Sequence, residues 1–236
     1  MQAVLNLPKK QTGNGGKTVS LSLLEKFVNF ALEEETAITV SPVSWKTYSN
    51  FVREGADKIR NPRFYYENET LLIMPTTEHE SNKETIVYLI NILAEEFQIN
   101  CRSLGSATFR AEDIKRGFEP DSCFYFANEA KIRGVKRFDS TKHPAPDLII
   151  EVDITSSSEM RESIFAAFRV PELWRYDGEK VEFLKLKGKK YVRIEKSLAL
   201  PLITSKKLAE FVSESEKTAR LEWIEKVRKW ARDLKS

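Results

Sequence analysis

Residues 147–155 read Asp-Leu-Ile-Ile-Glu-Val-Asp-Ile-Thr, DLIIEVDIT. The run is too short for a helix of ordinary length, rich in β-branched residues, and preceded by the breakers of KHPAP, so it predicts a strand. Side chains alternate along a strand, so Leu148, Ile150, Val152 and Ile154 form one unbroken apolar face. The opposite face carries Asp147, Ile149, Glu151 and Asp153. Glu151 and Asp153 are about 6–7 Å apart at the backbone, close enough to converge on one divalent ion or its waters. Solvated acids on an open sheet face would give the same pattern. Clustering acids in mid-strand is unfavourable, however, because like charges repel and Asp suits strands poorly. A hard cation removes that cost.

The flanking sequence supplies partners for these acids. Upstream, Glu119-Pro120-Asp121 opens the apolar run SCFYF, and Pro120 suits the first position of a strand. Asp121 then stands at the start of one strand and Glu151 within the next, and two such acids can meet across a sheet. Taken alone, Asp121 is better read as an ordinary turn acid. Downstream, Ser156-x-x-Glu159 is a capping-box pattern that starts a helix near Ser157. Ile164, Phe165 and Phe168 form that helix's buried face, and Arg161, three and four residues earlier, shares it. An inward cation beside an acidic strand can pair with the acids or with a phosphate, or snorkel out past the sheet.

Around this centre the chain reads as α/β. Apolar spacing predicts a short helix in SLSLLEKFVNFALEEE and an amphipathic helix over 82–97. Strands are expected at RFYYENE, TLLIMP and ELWRYD, two more within residues 106–128, and a hairpin at VEFLKLKGKKYVRIE. One or two helices close the chain over 206–233. The Gly-rich QTGNGGKT, residues 11–18, is a flexible connection. It is not a phosphate-binding loop, because that motif requires glycine where Gln11 stands.

Composition narrows the function only slightly. With 236 residues the chain can bury one sizeable core. Lys and Arg exceed Asp and Glu by only 38 to 35, so any basic surface must be local. The hairpin lysines Lys185, Lys187, Lys189 and Lys190, with Arg193, could contact a phosphate backbone, although taken alone a solvated surface explains them better. Two cysteines outside any metal-ligand spacing, no apolar leader and no membrane-length segment lead to the expectation of a reduced, cytoplasmic protein with no membrane association.

Three runs, GFEPDSCFYFAN, PAPDLIIEVDITSSS and RESIFAAFRVPELWRYD, resemble the Uma-type restriction endonucleases of the PD-(D/E)xK nuclease superfamily. FYYENETLLIMPTTEHE is similar to that family's entry hairpin, and the likeness extends from about residue 44 to about residue 211. The resemblance implies a restriction-endonuclease-like mixed β-sheet core flanked by helices. Residues 1–43 would be an N-terminal extension with a short helix, and 212–236 an amphipathic helix packed on or beside the domain. It further implies Mg²⁺ or Mn²⁺ as cofactor, held by Asp121 and Glu151, and DNA as substrate. Glu80, next to His79, would be an additional acid of the site.

The sequence departs from the (D/E)xK pattern at one place: Asp153 stands where the lysine belongs. Many of the resembling proteins carry a lysine on the following helix, at the position of Arg161. Arginine stays protonated and cannot act as a base, so Arg161 would stabilise charge while Glu151 or Asp153 orients a metal-bound water. The alternative is a catalytically weakened nucleic-acid-binding or interaction module that keeps the nuclease fold. Restriction enzymes are often symmetric dimers, so Trp223 and Trp230 could serve a homodimer interface, or could pack the last helix onto its own domain.

Overall fold

A computed structural model describes residues 3–6, 19–55, 62–75, 80–152 and 158–234. In chain order the elements are β1 (Ala3–Asn6), α1 (Leu21–Glu33), β2 (Ile38–Ser41), α2 (Trp45–Gly55), β3 (Arg63–Glu67), β4 (Thr70–Met74), α3 (Glu80–Phe97), β5 (Arg102–Gly105), β6 (Phe109–Ala111), β7 (Arg116–Phe118), β8 (Ser122–Tyr125), α4 (Glu129–Ile132), β9 (Leu148–Val152), α5 (Ser158–Ala167), β10 (Glu172–Tyr176), β11 (Val181–Lys187), β12 (Lys190–Ile194), α6 (Ser205–Ser215) and α7 (Arg220–Asp233). The class is mixed α/β, with two six-stranded sheets among the described residues.

The chain divides into two compact units, Met1–Thr77 with Thr108–Glu119, and Glu78–Ala107 with Pro120–Ser236. The boundary expected after residue 43 falls inside the first unit, and the closing segment expected from residue 212 begins within α6 of the second. The Gly-rich stretch 11–18 and the Ser156 cap lie outside the described residues.

The first unit holds the sheet β1-β2-β4-β3-β7-β6. Helix α1 starts where expected: Ser20 caps it by accepting from the Leu23 N–H. Its Leu24, Val28 and Ala31 are buried with Ile38 and Val40 of β2, Tyr48 and Phe51 of α2, and Phe64, Leu71 and Ile73 of the β3–β4 hairpin. Asn68 and Glu69 make that hairpin's two-residue turn at φ 49 and 58, the left-handed geometry whose twist matches the flanking strands. Gly117 of β7 serves a close approach, since a Cβ there would lie 2.2 Å from the Tyr48 hydroxyl oxygen. Residues 106–128 were expected to hold two strands; they hold β6 and β7 of this sheet and β8 of the other.

The second unit is built on the sheet β12-β11-β10-β9-β8-β5. Strands β9 and β10 are parallel and joined through α5, while the remaining pairings are antiparallel. Leu148, Ile150 and Val152 face the larger core, with Phe124, Trp174, Phe183 and the apolar sides of α3, α6 and α7. That core explains the two tryptophans. Trp223 is buried with its indole N–H donating to the Phe211 carbonyl, and Trp230 packs partly buried against the same cluster. Helix α7 is clamped to α3 by Arg228 and Arg232, which pair with Glu95 and Glu96. No described helix is long and apolar enough to cross a membrane.

Candidate active site

The face of β9 expected to carry acids is covered, not open. Every residue of Leu148–Val152 is buried, and Glu151 is 2% exposed. Its carboxylate meets the helix that follows: Arg161 Nη1 of α5 donates to Glu151 Oε2 at 2.8 Å, and Arg161 is itself 4% exposed. The 3.6-residue repeat that buries Ile164 and Phe165 brings Arg161 inward as expected. Transfer of both charges out of water is costly, and their mutual attraction at hydrogen-bond distance offsets that cost.

Asp121 joins them through strand register. Strands β8 and β9 pair Ser122 with Ile150 and Cys123 with Ile149. One further step along this antiparallel ladder sets Asp121 opposite Glu151 on the same face, their Cα atoms about 5 Å apart. The Asp121 carboxylate terminates the ladder, with Oδ2 accepting the Val152 N–H at 2.7 Å. Two acids therefore stand side by side at the carboxyl end of the parallel pair β9–β10. Open α/β sheets commonly place their sites at this end.

The row continues into Arg175 and Glu182, which the sequence reading did not single out, and reaches Arg193, which it assigned to a phosphate backbone. Glu151 aligns with Arg175 of β10, and Arg175 with Glu182 of β11. Arg175 donates to Glu162 of α5 at 2.9 Å and, from Nε, to Glu182 at 3.1 Å. Glu182 also pairs with Arg193 of β12. Charges thus alternate across the sheet, and helix α5 lies against them with Arg161 and Glu162. The signal in the sequence was a lone Arg between Trp174 and Tyr176 of an apolar strand, which shares the Leu173 face by alternation.

Asp147, although on the Glu151 side of the strand pattern, is committed elsewhere. It accepts from the Phe126 N–H at 2.7 Å, the Asn128 N–H at 2.9 Å and the Asn128 side-chain amide at 2.6 Å. These bonds pin the β8–β9 connection at the far end of the strand. Asp153 and His79 lie outside the described residues. Glu80 is the first residue of α3, and its side chain is likewise outside them. The hairpin lysines are not brought to the acids. Lys185 aligns with Glu172, at the amino end of β10, and Lys187 and Lys190 lie beyond it.

The chemistry of Asp121 and Glu151 suits a hard divalent ion. Mg²⁺ takes one or two protein carboxylates and completes its shell with water. A carboxylate offers about four lone-pair positions, so it can accept a hydrogen bond and bind an ion at the same time. Among the described residues there is no group of three or more His, Cys, Asp or Glu side chains, so an all-protein cage is not formed by them.

A solved structure described as a "putative nuclease belonging to DUF820 from Anabaena variabilis ATCC 29413" is similar, with 16% sequence identity and a TM-score of 0.49. The match covers 72% of this chain and 99% of that one. No curated protein matches the chain. The profile of the Uma2 family, described as "Putative restriction endonuclease", matches residues 55–213, which is more than half of the sequence. That span contains β8, β9 and α5 with their Asp121, Glu151 and Arg161, and the chain belongs to the Uma2 family.

Proposed function

We propose that this protein is a nuclease that hydrolyses phosphodiester bonds in DNA, with Mg²⁺ or Mn²⁺ held by Asp121 and Glu151. The observation that carries the reading is the meeting of two cross-strand carboxylates and one inward arginine at the end of β9. Family membership supports the nuclease class. A bound divalent ion would supply Lewis acidity and a water of lowered pKa. Arg161 stays protonated through any such reaction and serves to balance negative charge that develops on the phosphate. Asp121 anchors the end of the ladder through the Val152 N–H, which fixes its carboxylate beside Glu151. Asp153 is assigned to orienting the attacking water, and Glu80 to an additional acid of the site.

The test is cleavage of plasmid DNA by the full chain with Mn²⁺ or Mg²⁺, beside Asp121→Ala and Asp121→Asn. Cleavage that requires the ion and falls at least ~100-fold in both variants is expected. Absence of cleavage by the parent protein, or full cleavage by both variants, overturns the proposal.

One observation favours a second reading, a nucleic-acid-binding module with weakened catalysis: the Glu151 carboxylate is already engaged by a buried guanidinium. An ion must share that carboxylate with Arg161. On this reading the protein binds DNA in a salt-dependent manner without turnover, and Arg161→Lys raises cleavage above the parent level.

A further inference from the structure

The two ends of the second unit's sheet treat their cations differently. At the Glu151 end, Arg161, Arg175 and Arg193 are each paired with a glutamate. At the opposite end the chain emerges in the β8–β9 connection and in the β11–β12 turn, both on the side of the sheet where β9 and β10 begin. Lys136 and Arg137, within the connection, and Lys185, Lys187, Lys189 and Lys190 of the hairpin are all exposed. None of these six has an ion-pair partner among the described residues.

The acids of that end do not compensate them. Glu129 is taken by Arg133, and Asp139 by Lys142. Asp147 and Glu172 are buried and accept hydrogen bonds from backbone and side-chain donors. Six uncompensated positive charges are therefore carried by these two segments, in two groups. The strand ends from which the two segments leave, β8–β9 and β11–β12, stand roughly two to three strand spacings apart, about 10–14 Å. A single phosphate cannot span that distance, whereas a chain of phosphates can. Uncompensated, solvated cations also release counterions when a polyanion binds, which is the main source of affinity for a nucleic-acid backbone.

We propose that this end of the sheet is a docking surface for the phosphate backbone of double-stranded DNA, separate from the acid pair. Three residues of β9, beginning at its start level with Lys185, precede Glu151, about 10 Å along the strand. The choice of DNA as the polyanion rests on the nuclease reading, but the surface itself does not depend on catalysis. DNA would be gripped at one end of the sheet without displacing any of the ion pairs at the other.

The experiment is fluorescence anisotropy of a labelled DNA duplex with the full chain in EDTA, so that no bond is cut, between about 50 and 200 mM salt. Lys136→Gln with Arg137→Gln, and separately Lys187→Gln with Lys190→Gln, each remove two charges. Each pair is expected to flatten the slope of log K against log salt by about 2, and the four together by about 3.6. Because all four side chains are exposed, thermal unfolding of the variants should match the parent. An unchanged slope in the fourfold variant overturns the proposal even if cleavage with Mn²⁺ is found. So does binding to vesicles of anionic lipid with none to the duplex. A flattened slope in a protein that never cleaves DNA upholds this surface and removes the nuclease reading instead.

Discussion

Glu151 and Glu172 lie on adjacent parallel strands, both almost fully removed from water, and they are accommodated by opposite means. Glu151 meets a cation, Arg161, at the carboxyl end of β9. Glu172, at the amino end of β10, forms no ion pair among the described residues and is met by dipoles. It accepts from the Trp174 indole N–H at 2.8 Å, from the Leu198 N–H at 3.1 Å and from the Ala199 N–H at 2.8 Å. Its burial pushes the carboxyl above the usual range, against the opposing effect of those donors. The difference separates two uses of a buried acid. Glu172 ties the 198–199 loop to the sheet and is locally satisfied. Glu151 stands beside a second carboxylate and holds an arginine that a phosphate could also use.

The sharpest way to break this contrast is Arg161→Ala. It leaves Glu151 buried beside Asp121 without its cation and should cost about 3–5 kcal/mol in urea unfolding. The double replacement of Arg161 by Met and Glu151 by Leu should be milder than either single change, because it removes both charges together. Additive losses would show that the pair is not coupled. Glu172→Gln should cost less, about 1–3 kcal/mol, since an amide keeps the shape but turns an NH₂ group toward N–H donors. A loss as large as that of Arg161→Ala would erase the distinction between the two glutamates.

A third glutamate sharpens it through pH. Glu96 on α3 is held down to about 2, from 4.5, by hydrogen bonds from Arg232 and Arg228. Its contribution is present above pH 4.5 and lost as pH falls toward about 2. Glu172 has the reverse sign. Its folded value lies above 4.5, so its contribution is full below that pH and declines as pH rises through the folded value. Unfolding midpoints measured against pH should therefore lose their acid-side fall in Glu96→Gln and their decline above pH 4.5 in Glu172→Gln. The shifts should be smaller than those of Arg161→Ala, and identical profiles for the two variants would refute the assignment.

Much of the second unit could be read directly from the chain. Alternation placed Leu148, Ile150 and Val152 together, and they share one core. Helical spacing turned Arg161 inward, where it is buried. Elements with weaker local patterns were not legible. Strand β5 has the burial of an edge, with Arg102 and Ser103 exposed, so no apolar period marks it. Strand β2 is four residues long, and helix α2 mixes its buried Tyr48, Phe51 and Val52 with polar residues. The three-residue β6 and β7 belong to the first sheet through pairings of β7 with β3, remote in sequence, that no local pattern encodes.

By itself the sequence determined which side chains share a face, because the periods of strand and helix are properties of the local backbone. It also determined the family, through the ordered run of motifs around Asp121 and Glu151. Only the tertiary structure decided what those faces meet. Register between β8 and β9 set Asp121 opposite Glu151, and the docking of α5 delivered Arg161 to that pair. It likewise joined Arg175 and Glu182 to the row and sent the lysine hairpin to the other end of the sheet. The reason is physical. Pairing between strands distant in the chain depends on how the whole sheet buries its apolar faces, and a one-residue slip would move every one of these side chains to the opposite side.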